Sequence, residues 1–319
     1  MVKLTILSLA IFYLIKSGAI EFQKIKLMFE NPWSIIGLFF LTVATLISIF
    51  RWKTLLFALD FQLKLPIIAK LTFLGFAYNL LIPGSVSGDL MKAYYLARNE
   101  DRKLLVVSTI ILDRVIGILS LFSFIILSII YIAFNNTELF ITGTQLFNEK
   151  DENIKTSIII LLLIIMPFIF LWAFKNNYLT RIKIYIPFKA SLYKVANSLT
   201  LYRNKWKAIS TAYFISIVGQ IPLILSFFFF GKAIHEESFH LIHYFLLVPI
   251  SMMLNAIPIS PGGLGTGELF TFKLFQVFGS TNGANVMILF HIGTIIFGLI
   301  GLIVILFGIP KESDDKSYN

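Results

Sequence analysis

The chain has 319 residues, of which 57% are hydrophobic and 14% charged, with 33 Phe, a mean hydropathy of +0.85 and no Cys. Soluble domains carry about 25% charged residues, so a water-soluble fold is excluded, and the lack of Cys excludes disulfides and thiolate metal sites. The net charge of +10 reads as positive-inside bias and attraction to anionic lipid, not as a nucleic-acid surface, so no nucleic-acid partner is expected.

Taken in chain order, the first apolar run is Leu4–Ile15, between Lys3 and Lys16. Lys16 precedes a poor cleavage site, which points to a membrane helix with snorkelling lysines, not a cleaved signal peptide. Trp33–Phe50 is next, 18 residues long, and about 20 apolar residues cross a hydrocarbon core of roughly 30 Å. Arg51, Lys53, Lys64 and Lys70 against Asp60 then read as cytoplasmic. Leu65–Ile82 is long enough to cross, yet Lys92, Arg98, Arg102 and Lys103 behind it are basic again. A hairpin that dips in and returns resolves the conflict. Its apex is "IPGSVSG", Ile82–Gly88, where proline and glycine free the backbone from helix. Leu104–Phe134 runs outward to the loop Asn135–Lys155, where Glu138, Glu149, Asp151 and Glu152 outnumber Lys150 and Lys155.

Thr156–Phe174 returns inward to Lys175–Lys207, which holds eight basic residues and no acidic one and is the clearest cytoplasmic loop. Within it Phe188, Leu192, Val195, Leu199 and Tyr202 recur at helical spacing beside Lys189, Lys194 and Arg203. That pattern fits an interfacial amphipathic helix on anionic headgroups, and plain scaffolding accounts for it equally. Ala208–Phe230 runs outward to a loop with His235, Glu236, Glu237, His240 and His243, whose spacing matches no standard zinc motif. A second hairpin centres on "NAIPISPGGLGTGELFTFK", Asn255–Lys273, before Ala284–Ile309 and a polar tail over 311–319.

The expected fold is an all-α polytopic membrane protein, one integral-membrane domain over 1–319 with about six full crossings plus two re-entrant hairpins. It is placed in the cytoplasmic membrane with both termini cytoplasmic. An odd number of crossings per half makes the second repeat (156–310) enter upside down relative to the first (1–155), an inverted-topology repeat.

The two breaks match. "NLLIPGSVSGDL" (Asn79–Leu90) and "NAIPISPGGLGTGEL" (Asn255–Leu269) share Asn, then Ile-Pro, then Pro-Gly, then Ser/Thr-Gly-Asp/Glu-Leu. Each leads into a short helix starting at Ser87 or Thr266, good N-caps, with Asp89 or Glu268 in the first turn. Hairpins entering from opposite faces bring both helix N-termini near the midplane, which favours an anion. Glycines let a ligand approach the backbone closely, and a phospholipid headgroup is the anion most available in a membrane. The expected substrate-binding set is Asn79, Pro83, Gly84, Ser87, Gly88, Asp89, Lys92, Arg114, Asn255, Gly262, Gly263, Gly265, Thr266, Gly267 and Glu268.

Several of these residues have a second account. Asp89 and Glu268 can simply neutralise their own helix ends. An acid repels a bare phosphate, so it can instead hold an ammonium group, a proton or a neighbouring cation. Lys92 shares a helical face with Asp89 and can pair with it, whereas Lys273 faces away from Glu268. Arg114 can grip phosphate bidentately or be tied to Asp113 or Asp89. The lone His291 reads as a packed, hydrogen-bonded helix residue. "GGLGTG" is no dinucleotide fingerprint, since no strand–helix unit surrounds it. No cofactor, metal site or catalytic residue is expected.

The segments "RWKTLL" (Arg51–Leu56), "NLLIPGSVSGDLMKAYYLAR" (Asn79–Arg98), "LDRVIGI" (Leu112–Ile118) and "IPISPGGLGTGE" (Ile257–Glu268) stand in an order that resembles the flippase-like membrane domain of the lysylphosphatidylglycerol synthase family. The resemblance covers nearly the whole chain, and the two glycine–proline motifs are its most specific parts. It implies a lipid-translocating fold more strongly than any particular lipid; in full-length synthases the membrane domain moves aminoacylated phosphatidylglycerol between leaflets. In full-length synthases a separate cytosolic C-terminal domain attaches the amino acid from aminoacyl-tRNA. This chain stops at "GIPKESDDKSYN", so it is expected to lack that domain and not to make lysyl-lipid alone.

The leading expectation is therefore a lipid flippase or transporter, not an enzyme, with a headgroup held between the two breaks. Its partners are membrane lipids, anionic ones above all, and a cytosolic lipid-modifying enzyme is a candidate. The alternatives are an integral-membrane transferase acting on a lipid phosphate, with Asp89, Asp113, Glu268 and His291 as its deep candidates, or a non-catalytic membrane partner of a cytosolic enzyme.

Overall fold

The computed structural model describes residues 30–81, 87–98, 102–135, 202, 205–257 and 260–307. Among them are eight α-helices and no strand: α1 (Pro32–Ala58), α2 (Leu65–Leu81), α3 (Ser87–Ala97), α4 (Lys103–Asn135), α5 (Trp206–Ala233), α6 (Leu241–Asn255), α7 (Thr266–Val277) and α8 (Gly283–Leu306), with a 3-10 turn at Pro261–Gly263 before α7. The expected helices Leu4–Ile15 and Thr156–Phe174, the acidic loop, most of the basic loop, Pro83, Gly84 and the tail lie outside the described residues.

Helices α1, α4, α5 and α8 are each long and apolar enough to cross a membrane. With 15 residues α6 falls short of the usual span, and α2 is described over 17 residues, at its lower end. Asn31 starts α1: its side chain accepts the Trp33 N–H at 3.1 Å and donates to the Ala233 carbonyl at 3.1 Å, tying the start of α1 to the end of α5. Pro32 follows at the first helical position, where its missing N–H costs nothing. The helix then runs past Phe50 to Ala58. Arg51 and Lys53 are thus helical and not loop residues, because nothing between Phe50 and Ala58 breaks a helix.

Between helices in lipid, close packing and hydrogen bonds replace the hydrophobic drive. Small residues do this here. Gly37 lies against Phe230 and Gly219 against Ile47 where α1 meets α5, while Gly298 and Gly301 lie under the carbonyls of Phe76 and Phe73 where α8 meets α2. The other main contacts between α-helices are α4 with α6, α2 with α3, α6 with α7, α3 with α4, α7 with α8, α4 with α5, α1 with α8, α1 with α2, α5 with α6, α1 with α4 and α5 with α8. Exchanging α1–α4 with α5–α8 maps this whole set onto itself.

Two polar fastenings stand apart from the helix faces. Glu236, buried in the α5–α6 connection, accepts Ser238 N at 2.8 Å, Asn282 Nδ2 at 2.7 Å and the Ser280 hydroxyl, joining it to the α7–α8 connection. Tyr202 is fully buried, its hydroxyl donating to the Leu55 carbonyl at 2.8 Å. It is therefore packed into the protein and not laid on headgroups; Phe188, Leu192, Val195 and Leu199 lie outside the described residues.

Candidate functional site

The first break is held by Asn79 at the end of α2. Its Oδ1 accepts the Gly88 N–H at 2.7 Å and lies 3.2 Å from the Ser87 hydroxyl, which is also 3.1 Å from the Tyr78 carbonyl. Asn79 is thus the cap of α3. Only glycine fits at 88, since a Cβ would strike the Gly75 carbonyl.

The second break uses the same parts with different bonds. Asn255 ends α6, and a Cβ on Gly263 or Gly267 would strike its side-chain oxygen. Gly262, Gly263 and Gly265 take φ of 59°, 81° and 78°, the left-handed region that favours glycine. Here the carboxylate makes the cap: Glu268 Oε2 accepts the Gly265 N–H at 2.7 Å, while Thr266 Oγ1 and Ser260 Oγ meet at 2.6 Å. The two breaks adjoin, because a Cβ on Gly262 would lie 3.7 Å from the Asn79 carbonyl oxygen.

A charged cluster sits beside the first break. Arg114 Nε donates to Asp89 Oδ2 at 2.6 Å, and Lys92 Nζ lies 3.6 Å from Asp89 Oδ1. Arg51 clasps Asp113 through Nε and Nη2 and donates Nη1 to Ser216 Oγ at 2.9 Å. From there a polar ladder continues: Ser216 donates to Ser120 Oγ at 2.8 Å, as does Gln220 Nε2 at 2.8 Å. Lys92 also stands over the Trp52 ring at 5.5 Å. The Arg114 side chain is 54% exposed, and Nε carries its one hydrogen bond among the described residues.

These groups line a cavity of about 540 Å³ to which α1, α2, α3, α4, α5, α6 and α8 all contribute. Arg51, Asp89, Lys92, Asp113 and Arg114 supply its charge, and Leu41, Leu121, Leu223, Phe290 and Phe297 are among its apolar lining. Of the expected binding set, Asn79, Asp89, Lys92 and Arg114 face this cavity. Ser87 and Gly88 stand behind Asn79, bonded to it. Asn255, Gly262, Gly263, Gly265, Thr266, Gly267 and Glu268 build the second break without lining the cavity.

The transferase candidates do not converge. Asp89 is taken by Arg114 and Lys92, Asp113 by Arg51, and Glu268 by His291 at 2.6 Å, away from the cavity wall. Among the described residues no group of three His, Cys, Asp or Glu is placed to hold a metal.

Sequence reasoning missed Arg51, Asp113, Ser216 and Gln220 as a unit. The signal was present: Ser216 and Gln220 are four apart on one helical face inside the apolar run Ala208–Phe230.

No curated protein and no solved structure matches the chain. The model of one family, described as the lysylphosphatidylglycerol synthase TM region, matches residues 1–302. With that match across nearly its whole length, and helices that fit a membrane around a charged cavity, the chain belongs to the lysylphosphatidylglycerol synthase transmembrane family.

Proposed function

We propose that the protein is a flippase-like transporter that moves a phospholipid or lipid-phosphate headgroup between leaflets through this cavity. The carrying observation is its charge inventory: Arg51, Lys92 and Arg114 face Asp89 and Asp113, three cations against two carboxylates. Arg114, the most exposed of the three, keeps both terminal nitrogens for a fork on phosphate. The volume lies within the roughly 300–1,000 Å³ range of ligand pockets, and the apolar wall suits the glycerol and first methylenes of a lipid.

The halves act as an inverted-topology repeat, 1–155 against 156–310. The reading is supported by the self-mapping helix contacts, by the matching breaks at Asn79 and Asn255, and by α6 being shorter than the usual span. The broken ends of α2 and α6 are the re-entrant tips. Rocking of one half against the other about the α1–α5 contact exposes the cavity to each leaflet in turn.

The test is reconstitution into vesicles of phosphatidylglycerol and phosphatidylethanolamine that carry tail-labelled phosphatidylglycerol. Label is expected to move between leaflets without chemical change. A new lipid species in place of movement, or Arg114→Gln moving label as fast as the unmodified protein, overturns the reading.

A further inference from the structure

The two breaks treat their matching carboxylates differently. Asp89 faces Lys92 and Arg114, side chains whose ordinary charge is fixed at neutral pH. Glu268 faces His291 instead, Nδ1 to Oε1 at 2.6 Å, with the two residues 5% and 3% exposed. Histidine is the side chain whose charge ordinarily changes between about pH 5 and 8. The other ring nitrogen, Nε2, is buried and has no hydrogen-bond partner among the described residues.

The surroundings leave this pair to itself. Helix α1 presents Leu38 and Leu41 to α8, α2 presents Phe73, Phe76 and Ala77, and α5 presents Phe227. From α6 come Asn255, at Gly267, and Tyr244, whose ring meets Phe275 further along α7. Tyr244 is the one titratable group in that set, and no second charged side chain contacts Glu268 or His291 among the described residues. An ionised Glu268 beside a neutral imidazole is met only by the N-terminal end of α7 and so leaves a net charge inside the membrane. Such a charge is costly, and one proton at Nε2 removes it.

The same pair is linked to both the break and a wall of the cavity, though it does not line the cavity itself. Glu268 Oε2 holds the Gly265 N–H at the start of α7. Phe290 and Thr294, beside His291 on α8, line the headgroup cavity, and Thr294 Oγ1 donates to the His291 carbonyl at 2.8 Å. Gly262 in this break adjoins Asn79, the cap of the other. A change of charge on the pair thus acts on a helix start, a cavity wall and the junction of the halves.

We infer that Glu268–His291 is a proton-binding site that couples headgroup movement to the proton gradient, one proton reaching His291 Nε2 from one side and leaving to the other in each cycle. The inference rests on the transport reading. It is tested in vesicles of phosphatidylglycerol and phosphatidylethanolamine carrying tail-labelled phosphatidylglycerol, with the pH dye pyranine inside. For the unmodified protein, an imposed pH difference is expected to change the initial rate of label movement several-fold, a protonophore to abolish that change, and pyranine to report proton flux that accompanies lipid movement. His291→Gln, which can still bond Glu268 but takes no proton, is expected to lose the response to the gradient.

Label that moves at one rate with and without the gradient overturns the coupling and leaves the transport reading standing. A His291→Gln protein that keeps the several-fold response also overturns it. No movement under any condition removes both readings together. Where His291→Gln does not elute as a folded protein, pyranine with the unmodified protein decides: lipid-dependent proton flux supports the site, and its absence overturns it.

Discussion

Arg51 and Asp113 meet in a two-pronged pair, Nε to Oδ1 at 2.7 Å and Nη2 to Oδ2 at 2.9 Å, across the contact between α1 and α4. Both side chains are largely buried, at 13% and 18% exposed. Removing one partner strands the other charge, which costs about 3–5 kcal/mol for a buried pair, whereas replacing both with apolar residues is close to neutral. Arg51→Ala is therefore expected to lower the thermal unfolding midpoint in detergent strongly. The double change Arg51→Met with Asp113→Leu is expected to recover most of that loss. Equal loss in single and double variants would contradict the stranded-charge account.

The glycines of the two breaks differ in what surrounds them. A Cβ at Gly88 meets the backbone carbonyl of Gly75, which cannot yield without moving α2. A Cβ at Gly267 meets the Asn255 side chain and the Met287 methyl, both able to rotate. Gly88→Ala is expected to cost about 1–3 kcal/mol, the range for overpacking, and Gly267→Ala less. Thermal unfolding of the two variants side by side checks the order, and a reversed order would contradict this account.

Arg114 separates charge from shape. Its guanidinium reaches Asp89 with Nε alone among the described residues, so Arg114→Lys keeps the charge and loses the fork. Movement of labelled phosphatidylglycerol is expected to fall about tenfold in Arg114→Gln, the order of one charge-assisted hydrogen bond, and by less in Arg114→Lys. Initial rates in matched vesicles give the comparison.

Topology is open to a direct test because the chain has no Cys of its own. Ser238 and Lys103 are both exposed, at the α5–α6 connection and at the start of α4. On the proposed orientation, Ser238→Cys reacts with a membrane-impermeant maleimide on intact cells, and Lys103→Cys reacts only after permeabilisation. The same sidedness at both positions would remove the inverted arrangement.

Much of the helical frame was legible because its cause is local. Apolar runs long enough to cross marked α1, α4, α5 and α8, and the Pro–Gly cluster after Asn255 marked where α6 had to stop. The resemblance of Asn79–Leu90 to Asn255–Leu269 also anticipated that both breaks use an Asn and a Gly-acid pair. The site was legible only in part. Asp89, Lys92 and Arg114 lie close together in sequence or beside a recognisable motif, but Arg51 joins them only through the packing of α1 on α4. Charge counting read Arg51 only as a cytoplasmic flank, since composition cannot distinguish a solvated cation from one already met by a distant carboxylate. Nor could spacing foresee that Glu268 turns to His291, 23 positions on, while Asp89 turns to Lys92 and Arg114.

The three-to-two inventory of Arg51, Lys92 and Arg114 against Asp89 and Asp113 has an electrical meaning. On the proposed transport reading, a headgroup bearing one negative charge brings the charges of the loaded cavity to neutrality, so that, the coupled proton aside, membrane voltage is expected to exert little force on the loaded step. The empty cavity keeps one positive charge, and each charge crossing 100 mV is worth about 2.3 kcal/mol. On the proposed transport cycle, voltage is therefore expected to act on the return of the vacant cavity and not on the lipid-carrying step.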